Sequence, residues 1–198
     1  MPLIDTNEKN GALRVLRGSH KFSNILRSPT LPGVFQKLNT EIYEKMEALY
    51  IKAGEAIVIN HALLHASPPN LSGKDRVVAT FGLVPQAAQL YFFHRNENGL
   101  VEKYKTQDDF FLTYNKIGSA PRFGEKIDEF NYSWREWSNV DLDVAIKTSK
   151  RKSENMKRLF TDDVVQEFYN KNGYAKFRIL DEPEVKTLYD FYFEQELH

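Results

Sequence analysis

The metal chemistry open to this chain is set by what it carries and what it lacks. Its 198 residues hold five histidines (His20, His61, His65, His94 and His198) and no cysteine, so a metal would be held by imidazoles and carboxylates. None of the five is followed two residues later by Asp or Glu. His61 and His65 are four apart, the spacing of a helical two-histidine site, but the text around them is rich in Ile, Val and Leu and reads as strand and turn. Serine catalysis lacks a Gly-x-Ser-x-Gly elbow, and thiolate catalysis lacks the residue type. On residue type alone His65 reads as a packed histidine at a strand end. Arg76 opens the apolar run 77–84, where a guanidinium is less comfortable than on a plain surface strand.

Two stretches stand above this background. The first is Gly54-Glu55-Ala56-Ile57-Val58-Ile59-Asn60-His61-Ala62-Leu63-Leu64-His65-Ala66-Ser67-Pro68-Pro69-Asn70-Leu71-Ser72-Gly73-Lys74-Asp75-Arg76, a glycine and an apolar strand leading to His-x-Ser, Asn-x-Ser and Arg. The second is Asn10-Gly11-Ala12-Leu13-Arg14-Val15-Leu16-Arg17-Gly18-Ser19-His20-Lys21, an Asn-Gly turn, a strand and Gly-Ser-His. In order and spacing the two resemble the late motifs of the phytanoyl-CoA dioxygenase family of iron(II)- and 2-oxoglutarate-dependent oxygenases, over roughly residues 1–115.

That resemblance implies an oxidoreductase with two cofactors, Fe(II) and the cosubstrate 2-oxoglutarate, and a small organic molecule as substrate. It makes His65 the distal histidine of a two-histidine, one-carboxylate facial triad, which leaves three metal positions open. It makes Arg76, eleven residues on, the partner of the remote carboxylate of 2-oxoglutarate, a task suited to a planar two-pronged donor. Ser67 would add a hydroxyl to the same carboxylate, and His65 and Arg76 are expected to face one pocket. Asn70 and Ser72 are expected to shape the turn. Gly18, Ser19 and His20 would close a strand near the substrate mouth, with His20 structural or substrate-lining, and His94 reads as a surface residue at a strand end. The triad's other two ligands come, in the family, from a His-x-Asp motif upstream of the Asn-Gly strand. This sequence contains no His-x-Asp, so the resemblance leaves it with one metal ligand and an expectation of inactivity as an isolated chain.

The elements that must position these residues are mostly short strands. Asn10-Gly11 predicts a hairpin between a strand at Leu3-Ile4 and a second at 12–16. Further strands are predicted at 56–60, 63–65, 76–84 and 89–93, with a short helix near 40–49 inside a Pro- and Gly-punctuated insertion at 23–50 and another helix beginning at Asp108. The expected fold is mainly β with flanking helices: part of a double-stranded β-helix, the jelly-roll or cupin-like barrel, followed by a C-terminal helix-strand-helix segment. In that segment Asp162 and its neighbours cap a helix to Tyr169, Asn172-Gly173 ends it, 174–180 alternates as a strand, and Asp181-Glu182-Pro183-Glu184 opens a last helix. The linear division is 1–130 for the oxygenase-like part, 131–160 for a charged linker or helix, and 161–198 for the start of a second similar domain. The first strand begins with almost nothing before it, as in a piece of a tandem protein.

Composition narrows the partners. With 41% hydrophobic residues the chain can bury a core, and 27 basic against 27 acidic residues give no net field to attract nucleic acid or an anionic membrane. No apolar run reaches the roughly 20 residues of a membrane span, and the N-terminus lacks a signal-peptide pattern, so a cytoplasmic protein with a small-molecule partner is expected. Apolar residues of the last helices, among them Leu188, Tyr189, Phe191 and Tyr192, need covering, by the β part or by self-association through the C-terminal segment. Two alternatives stay open beside the oxygenase: a non-catalytic β-sandwich that binds a ligand or partner, and a cupin-like metal protein with another ligand set.

Overall fold

A computed structural model describes residues 1–107, 110, 124–150 and 158–196. They divide into two compact units. The first comprises Met1–Asn24, Asn39–Phe81 and Asn139–His198, and the second Ile25–Leu38 and Gly82–Ser138.

The first unit is organised around β1 (Leu13–Val15), flanked by β2 (Glu47–Leu49) and β4 (His65–Ala66) in an antiparallel sheet of order β2-β1-β4. A second, two-stranded sheet joins β3 (Glu55–Ile59) to β8 (Tyr174–Arg178), with Ile57 opposite Lys176 and Ile59 opposite Tyr174. Between the sheets lies one apolar cluster, in which buried Val15, Leu63 and Tyr174 are packed by Leu13, Leu49, Ile57 and Ile59. Four α-helices occur among the described residues, all in this unit: α1 (Asn39–Glu44), α2 (Asn139–Ser149), α3 (Asp163–Asn172) and α4 (Glu182–Glu196). Leu142 anchors α2 by complete burial.

Local chemistry accounts for the ends of the C-terminal elements. The Asp162 carboxylate accepts from the N–H groups of Val164 and Val165 at 2.8 and 3.1 Å, satisfying donors that the first turn of α3 leaves unpaired. Gly173 ends α3 at φ +83°, and its N–H donates to the Tyr169 carbonyl at 2.7 Å. A capping box opens α4: the Asp181 N–H donates to Glu184 Oε2 and the Glu184 N–H to Asp181 Oδ1, at 2.8 and 2.9 Å.

The second unit is an antiparallel meander of β5 (Tyr91–Arg95), β6 (Val101–Lys105) and β7 (Glu125–Phe130), with a small core of Phe92, Tyr104 and Phe110. Glu102 receives bonds from Lys126 and Tyr104, which hold its carboxyl down at about 2.

Several elements differ from the sequence expectation. A mixed α/β arrangement replaces the mainly β reading: antiparallel strands and flanking helices form, but the described ladders fall into three separate sheets and not one closed jelly-roll. Leu3-Ile4 does not pair with β1. The side chains of Asn7 and Asn10 bind backbone within residues 5–10, including Asn10 Nδ2 to the Asp5 carbonyl at 2.8 Å, and this folds the Asn10-Gly11 stretch into a compact loop where a two-residue hairpin was expected. Leu3 instead donates its N–H to the Val77 carbonyl at 3.0 Å.

The predicted strand 76–84 shrinks to a bridge between Pro2 and Val78, flanked by bonds from Leu3 N–H to the Val77 carbonyl and from Ala79 N–H to the Met1 carbonyl, and Phe81, Leu83 and Val84 are exposed. The helix predicted near 40–49 stops at Glu44, since Ala48 and Leu49 are taken up by the ladder with Arg14 and Leu13. The helix expected from Asp108 falls largely outside the described residues. No helix among the described residues is long and apolar enough to cross a membrane.

Gly173 is the most constrained of these positions. A Cβ there would lie 2.4 Å from His20 Nδ1 and 2.8 Å from Leu63 Cδ1, on top of the left-handed backbone. Gly173→Ala should therefore cost about 2–4 kcal/mol, combining left-handed strain with overpacking, and a urea unfolding curve with an unchanged midpoint would refute this packing.

Candidate functional site

His65 lies on β4, held there by residues of the second motif. Leu16 donates its N–H to the Leu64 carbonyl at 2.9 Å, and the Leu64 N–H donates to Oγ of fully buried Ser19 at 2.8 Å. Ser23 Oγ reaches the Ala62 carbonyl. Downstream, Gly11 at φ +80° abuts the Pro68 carbonyl so closely that a Cβ would sit 2.6 Å from it, and the Leu71 N–H bonds the Lys9 carbonyl at 2.7 Å. The two motif stretches thus pack on each other, with Gly11, Ser19 and Ser23 as the joints.

The His65 side chain is exposed, and its Nδ1 lies 2.8 Å from the Leu63 carbonyl. A carbonyl can only accept, so Nδ1 carries a proton, and in the neutral ring the lone pair is then on Nε2, the tautomer a metal-binding or proton-accepting imidazole needs. Ser67 is exposed. Arg76 is half-buried with no carboxylate partner among the described residues. No hydrogen bond or ion pair joins His65, Ser67 and Arg76 to one another. A cavity of about 290 Å³ lies elsewhere in this unit, lined by Leu3, Ile4 and Ala53 with the α4 stripe Glu182, Val185, Lys186 and Tyr189. Asn70 and Ser72 form the turn itself: Asn70 Oδ1 accepts from Ser72 N at 3.0 Å, while Asn70 Nδ2 donates to the Lys74 carbonyl at 2.7 Å.

Strand register adds residues that sequence reasoning did not single out. Val15 lies opposite both Glu47 and His65, so these three form one cross-strand row and project from the same face of the sheet. Over that row stands Tyr174, 4% exposed, whose hydroxyl donates to Glu47 Oε1 at 3.0 Å. Arg17 donates its Nε–H to the same oxygen and stacks its guanidinium over the Tyr174 ring. Burial, then the negative charge of Glu47, pushes the Tyr174 phenol up to about 12. The bond to Glu47 raises Arg17 further. Nothing in linear spacing connects Arg17, Glu47 and Tyr174, since the last is 127 residues from Glu47.

His20 is buried, with Nε2 3.1 Å from the Asn170 carbonyl, which fits the structural half of its expected role. His94 is half-buried within β5, with Nδ1 shielded from solvent, and is not the surface residue expected; the register opposite Glu102 turns it inward.

One family comparison covers the stretch that holds these residues. Residues 1–78 match the model of the phytanoyl-CoA dioxygenase (PhyH) family, a span that contains both motif stretches, His65, Ser67 and Arg76. Over those residues the chain is similar to that family. Neither a curated protein nor a solved structure matches the chain. The matched stretch does not by itself fit an iron centre. Among the described residues no group of three or more His, Asp or Glu side chains is placed to hold a metal, and a lone imidazole lacks the chelation that keeps a divalent ion.

The shielded phenol gives a direct check on the Tyr174 environment. A folded-state pKa above the unfolded value of about 10 stabilises the fold below that pH, and the contribution is lost as pH rises towards about 12. Tyr104 is likewise pushed up to about 12, so an absorbance titration at alkaline pH should show a late phenolate component that Tyr174→Phe reduces without abolishing, and stability should fall less steeply above pH 10 in that variant. A late component of unchanged size would contradict the burial of the Tyr174 phenol.

Proposed function

We propose that this chain contributes the distal histidine and the cosubstrate anchor of an iron(II)- and 2-oxoglutarate-dependent oxygenase that hydroxylates a small organic substrate. The observation that carries the reading is the orientation of His65 within the stretch similar to that family. An Nδ1–H donated to the Leu63 carbonyl leaves Nε2 of the neutral ring for the distal-ligand role that the resemblance implies for His65. The half-buried Arg76, with no carboxylate partner among the described residues, would grip the remote carboxylate of 2-oxoglutarate through two parallel N–H bonds, and Ser67 would add its hydroxyl. With one imidazole in place of three ligands, no oxidation step is assigned to these 198 residues alone.

Two outcomes test this. Incubated with iron(II), ascorbate and 2-oxoglutarate, the chain should release no succinate above buffer by mass spectrometry; turnover that survives His65→Ala would show that the ligands have been misassigned. Calorimetry should find 2-oxoglutarate binding about tenfold weaker in Arg76→Lys, the loss expected when a fork becomes a point charge and one charge-assisted bond of on the order of 1.5 kcal/mol is given up. Equal affinities would remove Arg76 from the anchor role.

A further inference from the structure

An asparagine followed by glycine is open to attack by its own backbone, because no side chain shields the next peptide nitrogen or restricts its rotation. The chain holds three such pairs, Asn10-Gly11, Asn98-Gly99 and Asn172-Gly173. The fold treats them differently. Asn10 is buried, its Nδ2 donating to the Asp5 carbonyl at 2.8 Å and its Oδ1 accepting the Asn7 N–H at 2.7 Å. Asn172 is buried too, with Nδ2 donating to the Phe168 carbonyl at 2.8 Å. Asn98 is exposed, in the short loop that joins β5 to β6. There the Asn96 N–H donates to the Leu100 carbonyl at 2.9 Å and Gly99 sits at φ +82°, the geometry of a hairpin loop closed by a left-handed glycine. The Asn98 backbone N–H donates to Asn96 Oδ1 at 3.1 Å, but its side-chain amide bonds nothing among the described residues.

We infer that Asn98 is a site of spontaneous deamidation and isoaspartate formation, and that the fold protects the other two asparagines from the same reaction. The Gly99 nitrogen, its proton lost to solvent base, attacks Cγ of Asn98; the N–Cγ bond forms, the Cγ–Nδ2 bond breaks and ammonia leaves. Water then opens the succinimide ring at either carbonyl, giving aspartate or isoaspartate with no oxidant or cofactor. What restrains the attacking nitrogen is one turn bond, from the Gly99 N–H to the Asn96 carbonyl at 3.0 Å, at a loop tip where local opening costs little. The corresponding motion at the other sites breaks packed structure. Gly11 lies against the Pro68 carbonyl, and Gly173 lies against His20 and Leu63 with its N–H held by the Tyr169 carbonyl at 2.7 Å. The product changes the loop. Isoaspartate carries an extra backbone carbon into a turn that Asn96 Oδ1 closes by accepting the Leu100 N–H at 3.1 Å, and either product sets a new carboxylate beside Glu97. The inference stands apart from the oxygenase reading and needs no metal or cosubstrate.

The test incubates the whole chain at mildly alkaline pH in heavy-oxygen water, once native and once unfolded in guanidinium chloride, and maps the peptides by mass spectrometry. In the native chain, aspartate and isoaspartate carrying the solvent label should accumulate at position 98 at least about tenfold faster than at 10 or 172, the factor set by the opening that the two buried sites require. In the unfolded chain the three rates should converge, since each asparagine is then followed by an equally accessible glycine. The formal net charge of the chain is +0, so the product separates by ion exchange as a more acidic form, and Asn98→Gln, whose longer side chain closes the ring slowly, should nearly abolish it. Reaction at 98 no faster than at 10 and 172 in the native chain overturns the proposal. So does a preference for 98 that is the same size in the unfolded chain, since the fold would then select nothing, and so does an acidic form that persists undiminished in Asn98→Gln.

Discussion

The packing of Tyr174 against Val15 and Leu63 is the contact on which the first unit depends. Val15 is at the centre of the β2-β1-β4 sheet and has no exposed surface, although its neighbours across the row, Glu47 and His65, are polar. Burying an apolar residue between two polar ones requires a cover that is apolar at its body and polar at its tip, and a tyrosine is both. The ring fills the space over Val15 while the hydroxyl meets Glu47, so the carboxylate keeps a partner as water is excluded. Truncation to the ring alone would leave Glu47 with Arg17, a pair whose half-exposed side chains are screened by solvent.

From that contact the geometry of the candidate site follows. With the β1 row fixed, the β4 strand takes its place on the other side, and fully buried Ser19 locks it by accepting the Leu64 N–H. The turn from Leu63 to His65 then sets the imidazole's proton on Nδ1 without any further side chain. The stretch similar to the PhyH family therefore holds the His65 ring in one orientation, although no group of three or more His, Asp or Glu side chains is placed to hold a metal among the described residues. The cost of holding this arrangement is spread over small residues: Gly11 and Gly173 each allow a close approach that a Cβ would block.

Much of this was legible in the order of residues. The cap chemistry of α3 and α4, the strand leading to His65, the turn at Asn70 and Ser72, and the two PhyH motifs are local, and local hydrogen bonding or period-two alternation decides them within a few residues. The β2 strand and the fate of 76–84 were not legible. Ala48 and Leu49 are strand because β1 lies beside them, and 79–84 is not strand because only Pro2 and its neighbours offer a partner. Strand propensity states what a segment accepts, and pairing decides what it becomes.

The sequence by itself determined which ligand types this protein offers: nitrogen and oxygen donors with no cysteine, a His-x-Ser with an arginine eleven residues on from the histidine, and no His-x-Asp. Residue types and short spacings are sufficient for that, because a motif is a local arrangement of donors. Only the tertiary structure decided that Glu47, Val15 and His65 share a row, that Arg17 and Tyr174 converge on Glu47, and that the strand completing β3 comes from the far end of the chain. Those facts depend on the register of strands that are not neighbours in sequence, and register is fixed by which apolar faces bury each other, a property of the assembled core and of no single segment.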